Sequence, residues 1–158
     1  MTAKSYEIIQ QFVRCKAYKK KDVIIAQETE ILFHVTNDIE NQYRSILEEV
    51  VTKRWTFDEI AILTKEMEKD MNWGRLLILY TFSGMVAKIH KRDEVMIEKL
   101  INWLSCCSNI WIDVNGGWDE FIKRYGQQRQ ERYFAKYFLY FLVPPCIYFI
   151  GKSLIKCL

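Results

Sequence analysis

Along most of the chain, hydrophobic residues recur every three or four positions, the spacing that places them on one face of an α-helix. Such a face runs through residues 5–18, 26–43 and 56–67, with a shorter helical turn near 46–51. The first two segments are joined by a very short connector around Lys19 to Asp22. A glutamate, Glu59, follows Thr56 by three residues and predicts a capping box at the start of the third helix.

The run that begins at Asn72 differs because it has no polar face. Residues 76–89 are apolar at nearly every position. A helix of this kind is normally buried all round, so we predict that it is the central helix of the domain. A β-strand over residues 76–82 is locally possible, but the length of the run argues against it. The polar interruptions are Thr81, Ser83 and Lys88.

Two later segments complete the predicted bundle. Residues 93–107 indicate an amphipathic helix, and residues 111–125 indicate two short helices that meet at Gly116-Gly117. Half of the 158 residues are hydrophobic, and only 2 prolines and 6 glycines interrupt them, which favours helices over many short strands. The sequence therefore predicts an all-α protein, a single bundle of about eight helices within residues 1–130.

Residues 131–158 form a separate hydrophobic tail. Its segment 137–151 carries no charge, but it is shorter than the roughly 20 residues of a spanning helix, and Pro144-Pro145 would kink it. Three interpretations stay open. The tail is a membrane anchor flanked by Lys136 and Lys152, a last helix folded back on the bundle, or a segment that exchanges between the two.

The chemistry-bearing residue types exclude several classes of protein. The 5 cysteines are odd in number and match no zinc or redox spacing, so we interpret them as reduced and mostly buried thiols. His34 and His90 lie on different predicted helices without metal-ligand neighbours, and no phosphate loop or nucleophile motif occurs. We therefore predict no metal, no cofactor and no enzyme. The net charge of +3 and the run Lys19-Lys20-Lys21 favour a solvated connector over nucleic-acid binding.

Two short segments carry the functional signal, Asn72-Trp73-Gly74-Arg75 and residues 111–118. Each segment contains a tryptophan and a glycine, and the glycine leaves the backbone exposed because it has no side chain. The first segment also contains Arg75, which is always positively charged. Arginine offers a planar fork that suits a partly desolvated carboxylate. The combination predicts a surface groove that binds a helix and recognises one acidic residue on that helix. Without Asn72 and Gly74 beside it, Arg75 would be interpreted as a surface arginine in an ion pair with Glu66 or Asp70.

The tryptophans and the paired glycines are more typical of the scaffold than of a ligand contact. Tryptophan at helical spacing usually packs inside a protein, so we interpret Trp73, Trp111 and Trp118 as core or cap residues. Gly116 and Gly117 are most simply a turn between two helices.

In order and spacing, these segments resemble homology motifs of the B-cell lymphoma two (Bcl) family of apoptosis regulators. Asn72-Trp73-Gly74-Arg75, with the leucine-rich run and Ser83-Gly84 after it, is similar to the first motif. Residues 111–119 are similar to the second, and Tyr125 follows at the family's usual distance. The helical plan also agrees from residue 31 to 125, whereas the first helix agrees by position more than by residues.

The resemblance implies a surface groove that binds an amphipathic helix of pro-death partners, which presents four apolar anchors and one aspartate. By position, Arg75 would pair with that aspartate, Asn72 would hydrogen-bond to it, and Gly74 would let the ligand backbone approach. The remaining groove residues form two walls, a floor and one end. One wall is Ile39, Tyr43, Ile46, Leu47 and Val50, the other is Leu63, Glu66 and Met67, the floor is Leu77, Ile78 and Phe82, and the end is Tyr125.

Departures from the family favour a compact, pro-survival member. The second helix offers Thr36-Asn37-Asp38 where a death motif needs a small Gly-Asp step, which argues against a pro-death role. The long loop after the first helix is absent, and one residue between Asp70 and Met71 is deleted. This compactness is similar to virus-encoded members. We therefore expect a viral regulator that acts in the host cytoplasm, at the mitochondrial outer membrane.

Two function hypotheses follow. The first is a binding module that sequesters the death-motif helices of pro-apoptotic family members and so inhibits permeabilisation of the outer membrane. The alternative is a membrane-active, pro-death effector that itself perturbs bilayers, suggested by the apolar central helix and the tail. Homodimer formation through the groove or the tail stays open beside both.

Overall fold

The computed structural model describes residues 3–18, 26–45, 47, 56–68 and 70–126. Within these ranges the chain forms α-helices and no strand, so the all-α prediction is confirmed. The count of about eight helices stays a prediction, since parts of the chain lie outside these ranges. The six helices are α1 (Ala3–Tyr18), α2 (Gln27–Gln42), α3 (Phe57–Glu68), α4 (Trp73–Ile89), α5 (Glu94–Val114) and α6 (Gly117–Tyr125).

Several predictions fall on residues that the structure does not describe. The tail prediction for residues 131–158 is one of them. Ile46 and Val50 also lie outside the described residues, and so do the side chains of Leu63, Glu66 and Met67 within α3.

Helix α4 occupies the centre of the described bundle, in contact with α1, α2 and α5. Twelve of its 17 residues are buried, and Leu76, Leu79 and Tyr80 are each at most 2% exposed. Its buried hydroxyls are satisfied inside the helix, because Thr81 and Ser83 donate to carbonyl oxygens four residues earlier at 2.7 and 2.8 Å. The prediction of a buried central helix therefore agrees with the described structure.

The Tyr80 hydroxyl links α4 to α5 in the middle of the core. It lies 2.9 Å from Ser108 Oγ, and Ser108 itself donates to the Leu104 carbonyl at 2.6 Å. Since Ser108 has one proton to give, Tyr80 is the donor in their mutual bond. Burial raises the pKa of Tyr80 above its ordinary value, and its ring packs edge-on against Phe12 of α1 at 5.5 Å between centroids.

Helix starts were the best-predicted local features. Thr56 and Glu59 form the reciprocal capping box, with the Thr56 backbone N–H donating to Glu59 Oε2 at 3.0 Å. Asn72 and Asp93 cap α4 and α5, accepting from backbone N–H groups three residues on, each at 3.0 Å.

The predicted boundaries after residue 107 were wrong. Instead of a helix that ends near Cys107 and a new one from Trp111, α5 continues without a break to Val114. Leu104, Ser108 and Ile112 are buried at a spacing of four, so the helix keeps one face against the core through the weakly helix-forming residues 105–109. The chain turns only at Gly116 and Gly117, both with positive φ.

The expectation of mostly buried thiols was also wrong for the cysteines that the structure describes. Cys15 is buried in α1, and burial raises the pKa of its thiol. Cys106 is exposed and Cys107 is half-buried on α5. The continuous α5 explains the difference, because it turns position 106 away from the face that carries Leu104 and Ser108.

A buried lysine, which the sequence pattern did not predict, joins α1, α2 and α4. The side chain of Lys16 has no exposed surface. Its ammonium donates to Asn37 Oδ1 at 2.6 Å and lies 3.2 Å from Glu40 Oε2, while Lys88 of α4 binds the other oxygen of Glu40. We call Lys16, Asn37, Glu40 and Lys88 the Lys16 network.

Gly84 makes room for the stem of this lysine. A Cβ atom at Gly84 would lie 3.0 Å from Cγ of Lys16 and 3.2 Å from its Cδ, closer than these atoms normally approach. The absence of a side chain on α4 at this point therefore lets α1 pack closely while Lys16 passes between the helices.

The protonation states in the network are set by burial and by the ion pairs. Burial lowers the pKa of Lys16 to about 8, against the opposing effect of Glu40. Burial by itself would raise the pKa of Glu40, but the hydrogen bond from Lys88 and the charge of Lys16 hold it below its ordinary value. Lys16 is thus charged at neutral pH at a cost in stability.

Replacing Lys16 with methionine should remove a pH dependence of stability. Between pH 7 and 9.5 the unfolded chain holds more protons at this position than the folded one, so the native protein gains stability as the pH rises. Over that range we expect the free energy of unfolding of the native protein to increase by about 2 kcal/mol relative to that of Lys16→Met. Urea denaturation of both proteins at each pH measures the difference.

The comparison between the two proteins cancels the titration of Cys15 and of the buried tyrosines. Lys65→Met, at an exposed position of α3, is the control and should follow the native protein at every pH. Parallel curves for the native protein and Lys16→Met would contradict the burial of a charged Lys16.

Candidate functional site

The segment Asn72-Trp73-Gly74-Arg75 forms the N-terminal turn of the central helix. Asn72 has an extended backbone, and its Oδ1 accepts the hydrogen bond from the Arg75 backbone N–H. Its Nδ2 donates to the Asp70 carbonyl at 3.4 Å, a long and weak bond. The oxygen of Asn72 is therefore used by the helix cap, and the amide Nδ2 is the atom left to meet a ligand carboxylate.

Arg75 is half-buried in the first turn of α4, with 17% of its side chain exposed. Helices α2, α3, α5 and α6 each begin with acidic residues, as the positive end of a helix dipole favours, whereas α4 has none in its first turn. A fixed cation at this end adds to the dipole and makes a local positive potential that attracts a carboxylate.

In the described residues, Asp70 occupies that position. Its Oδ2 lies 3.5 Å from Arg75 Nη1, longer than the 2.7–2.9 Å typical of a charge-assisted hydrogen bond. Asp70 is 81% exposed, so water competes with Arg75 for the carboxylate. One of the ion pairs expected for a surface Arg75 is thus present, but it is a weak contact that a better-placed carboxylate would replace.

The tryptophans of the two motif segments meet in one aromatic cluster. The ring of Trp73 lies 5.0 Å from Trp111 of α5 and 5.6 Å from Phe121 of α6, measured between centroids. Tyr125 packs against the same two rings of Trp73 and Phe121, at 6.4 and 5.0 Å. The start of α4 is therefore fixed to α5 and α6 by aromatic contacts that cost little conformational freedom.

Trp118 attaches the second motif segment to α1. Its indole N–H donates to Ser5 Oγ at 3.0 Å in a buried position, and its ring packs edge-on against Phe121. Gly116 has φ of 94°, and a Cβ there would lie 2.8 Å from Cβ of Glu120, so the turn before Trp118 requires glycine. This geometry assigns the tryptophans to the scaffold that holds the site.

The predicted groove residues separate into two groups by burial. Ile39, Leu77, Phe82 and Tyr125 are all less than 10% exposed. The half-buried residues are Tyr43, Leu47, Gly74, Arg75 and Ile78, and Asn72 is exposed. The second group is the surface that a ligand can reach in this conformation, while contact with Leu77 or Phe82 requires their neighbours to move.

Tyr43, predicted on one wall of the groove, and Tyr125, predicted at one end, differ in how the structure holds them. Burial raises the pKa of both hydroxyls, and that of Tyr125 rises to about 12 in spite of the nearby Arg124. Tyr125 belongs to the aromatic cluster and closes the packing between α4 and α6. Tyr43 ends α2, where its backbone N–H still bonds to the Ile39 carbonyl, and its half-buried ring remains accessible.

The sequence reasoning missed Phe121 and Ser5. Phe121 was detectable, because it follows Trp118 by three residues and precedes Tyr125 by four, the spacing of one helical face. Ser5 gave no such signal, since its bond to Trp118 depends on how α1 meets α6. Among the described residues, no group of three histidine, cysteine or carboxylate side chains is placed to bind a metal.

Comparison with known proteins identifies distant relatives. No protein-family model matches the chain. The sequence is 27% identical to Bcl-2-like protein 1 of Homo sapiens over 116 residues, covering 65% of this chain and 49% of that protein. It is 30% identical to apoptosis regulator Bcl-2 of Canis lupus familiaris over 77 residues, covering 44% of this chain and 33% of that protein. The sequence is also 27% identical to apoptosis regulator Bcl-2 of Gallus gallus over 73 residues, covering 42% of this chain and 31% of that protein.

The chain thus spans about half the length of Bcl-2-like protein 1 and about a third of Bcl-2. These homologues are regulators and not enzymes, in agreement with the predicted class of protein.

The contact between Trp118 and Ser5 should be measurable as a coupling energy. Trp118→Phe removes the donor and Ser5→Ala removes the acceptor, so the double variant should be less destabilised than the sum of the single ones. We expect a coupling of about 0.5–1.5 kcal/mol in the free energy of unfolding, from urea denaturation.

The matched control combines Trp118→Phe with Ser105→Ala. Ser105 is also a buried serine, but its hydroxyl donates within α5 to the Ile101 carbonyl. This pair should be additive within experimental error. Equal coupling in the two cycles would show that the buried Ser5 contact is not specific.

Proposed function

We propose that this chain, a member of the Bcl-2 family by distant homology, is a pro-survival regulator that binds amphipathic death-motif helices. The observation that carries the proposal is Arg75. It is a half-buried arginine in the first turn of a buried helix, a turn that has no acidic residue, and among the described residues its ion-pair partner is the exposed Asp70. A cation of this kind suits recognition of one carboxylate on a docked helix.

Attraction and selectivity come from different residues in this proposal. Each large apolar anchor that becomes buried contributes roughly 1.5–3 kcal/mol, before association and ordering costs of similar total size are subtracted. Four anchors on the ligand helix therefore supply most of the attraction, against surfaces such as Tyr43, Leu47 and Ile78. Arg75 fixes the register, because an apolar residue opposite it would leave a half-buried charge unpaired.

The position of α2 supports a survival role over a pro-death one. Thr36 is fully buried and donates to the Phe33 carbonyl at 3.1 Å, and Asn37 holds the ammonium of Lys16. The Thr36 bond lies within α2, but a helix that acted as a death-motif ligand would have to expose the Thr36 side chain, break the bond between Asn37 and Lys16 and expose Lys16. The same residues that interrupt a death motif in the sequence are thus engaged in holding α2 on the bundle.

We place this activity at the mitochondrial outer membrane of a host cell, where sequestration would inhibit permeabilisation. The partners would be pro-apoptotic members of the same family. The compact connector between the first two helices favours a virus-encoded protein. No helix in the described ranges combines the length and hydrophobicity needed to cross a membrane.

The membrane-active alternative rests on the apolar character of α4. In the described structure this helix is enclosed by α1, α2 and α5, so it would reach a bilayer only after the bundle opened. A dye-release assay with liposomes separates the two functions. Release by the protein alone favours the membrane-active one, and silence favours sequestration.

Arg75→Ala should weaken ligand binding without unfolding the protein. Peptides that carry death motifs are titrated calorimetrically into the full chain, and at least one should bind more tightly than about 10 μM, which corresponds to some 7 kcal/mol. For that peptide we expect Arg75→Ala to reduce affinity at least about tenfold, since a half-buried carboxylate loses its partner.

The control is a peptide in which the aspartate is replaced by asparagine. It should bind the native protein more weakly and be nearly insensitive to Arg75→Ala. If no peptide in the panel reaches 10 μM, the groove proposal is wrong. If Arg75→Ala leaves affinity unchanged for a peptide that does bind, the charge pair is wrong.

Asp70→Asn should have the opposite effect, because it removes the carboxylate that already occupies Arg75. An exposed ion pair contributes about 0.2–1 kcal/mol, so the affinity for the aspartate peptide should rise by up to about fivefold. The same calorimetric titration measures it. Asp113→Asn removes an exposed carboxylate of α5 and is the charge-matched control.

The salt dependence of peptide affinity gives a second test of the role of Asp70. In the native protein the peptide aspartate replaces Asp70, so one ion pair is exchanged for another. In Asp70→Asn a new pair forms, and affinity should fall more steeply with salt concentration. An equal gain in Asp70→Asn and Asp113→Asn would show a general charge effect and contradict the role given to Asp70.

A further inference from the structure

A cavity of about 550 Å³ lies beside the turn that joins α4 to α5. Its described lining consists of Ala17 and Tyr18 at the end of α1, Lys88 at the end of α4, and Lys91 and Arg92 in the turn. Three of these five residues are cations and none is a carboxylate. The volume falls in the range of roughly 300–1,000 Å³ that is usual for small-molecule sites.

The positive charge of this lining is poorly compensated. Within the described residues Lys91 and Arg92 are exposed and form no ion pair. Lys88 binds Glu40, but Glu40 is shared with the buried Lys16, so two ammonium groups face one carboxylate. The Lys16 network therefore carries a net positive charge next to the cavity, in addition to the two free cations.

The carboxylates that follow the turn already have donors. Asp93 accepts the backbone N–H of Met96 as the cap of α5, at 3.0 Å. Glu94 accepts the hydroxyl of Tyr18 and forms an ion pair with Arg14 at 2.7 Å. These bonds hold both acidic groups to other partners, and neither lines the cavity.

A simpler explanation accounts for part of the cluster. Cations near the C-terminal end of a helix stabilise its dipole, and Lys88 lies in the last turn of α4. Lys91 and Arg92 come after the capping residue His90, whose backbone N–H already bonds to Val86, and the effect of the dipole falls off within the last turn. The helix dipole therefore does not explain why Lys91 and Arg92 lie at the same cavity as Lys88.

We propose that this cavity binds a small anion with several phosphate groups, either free in solution or as the headgroup of a lipid. An arginine fork and two lysines match phosphate oxygens, and a lining with three cations and no carboxylate favours a ligand with several negative charges.

This phosphate site is separate from the helix-binding groove. Lys88 follows Arg75 by thirteen residues on the same helix, which places their backbones on the order of 20 Å apart at about 1.5 Å per residue. The site is therefore independent of the proposed function, and its occupation by phosphate needs no ligand helix.

Two probes distinguish the sources of phosphate. Inositol hexakisphosphate is titrated calorimetrically into the full chain, and the full chain is sedimented with phosphatidylcholine vesicles with and without phosphatidylinositol bisphosphate. The increment caused by the bisphosphate lipid is the readout, because the hydrophobic tail by itself can bind either vesicle. We expect the Lys91→Gln/Arg92→Gln double variant to lose at least about tenfold in affinity for the probe that binds.

The control is Arg44→Gln/Lys65→Gln, which removes the same charge from exposed positions that do not line the cavity. If only the Lys91→Gln/Arg92→Gln variant loses binding of inositol hexakisphosphate, the result supports a free polyphosphate as the ligand. If only this variant loses the additional vesicle binding caused by phosphatidylinositol bisphosphate, the result supports a lipid headgroup. Equal loss in both variants shows unspecific attraction and overturns the proposal, as does the absence of binding in both assays. Thermal unfolding of all variants verifies that each remains folded.

Discussion

The enclosure of α4 is the constraint on which the rest of the structure depends. A helix with buried residues on nearly every side is stable in water only when its neighbours cover it, and α1, α2 and α5 do so in the described bundle. The buried hydroxyl groups of α4 all have hydrogen-bond partners, whereas the buried side-chain amide of Asn109 on α5 has none within the described residues. Thr81 and Ser83 bond within the helix, and Tyr80 bonds to Ser108. What remains polar on α4 is concentrated at its two ends, and both candidate sites lie there.

The two ends of α4 present positive charge for different physical reasons. At the start, Arg75 adds to the dipole of the helix and faces a single weakly held carboxylate, which suits exchange for another carboxylate. At the far end, Lys88, Lys91 and Arg92 surround a cavity and outnumber the carboxylates available to them. The two ends of this helix thus carry the site that we propose for one acidic side chain and the site that we propose for a ligand with several negative groups.

Sequence reasoning succeeded where the signal is local. The burial of α4 follows from its composition, and the capping box at Thr56 follows from the glutamate three positions on, whereas the cap formed by Asn72 was not predicted. It failed for Lys16, because the burial of a lysine depends on Asn37 and Glu40, which another helix supplies. For Arg75 the sequence indicated both the resemblance and, as an alternative, an ion pair with Glu66 or Asp70, and the pair with Asp70 is present. The length of α5 was missed since weak helix formers at 105–109 are held helical by tertiary contacts alone.

Gly84 links several of these features, because the packing of Lys16, Asn37 and Glu40 depends on the absence of a side chain at this position. A side chain at this position would displace the stem of Lys16, and without Lys16 the amide of Asn37 loses its donor and Glu40 keeps only Lys88. During divergence, a side chain at position 84 would therefore require the residue at position 16 to shift or to be shorter. In distant relatives, positions 16, 37, 40 and 84 should accordingly vary together, while their neighbours on the same helices drift one at a time.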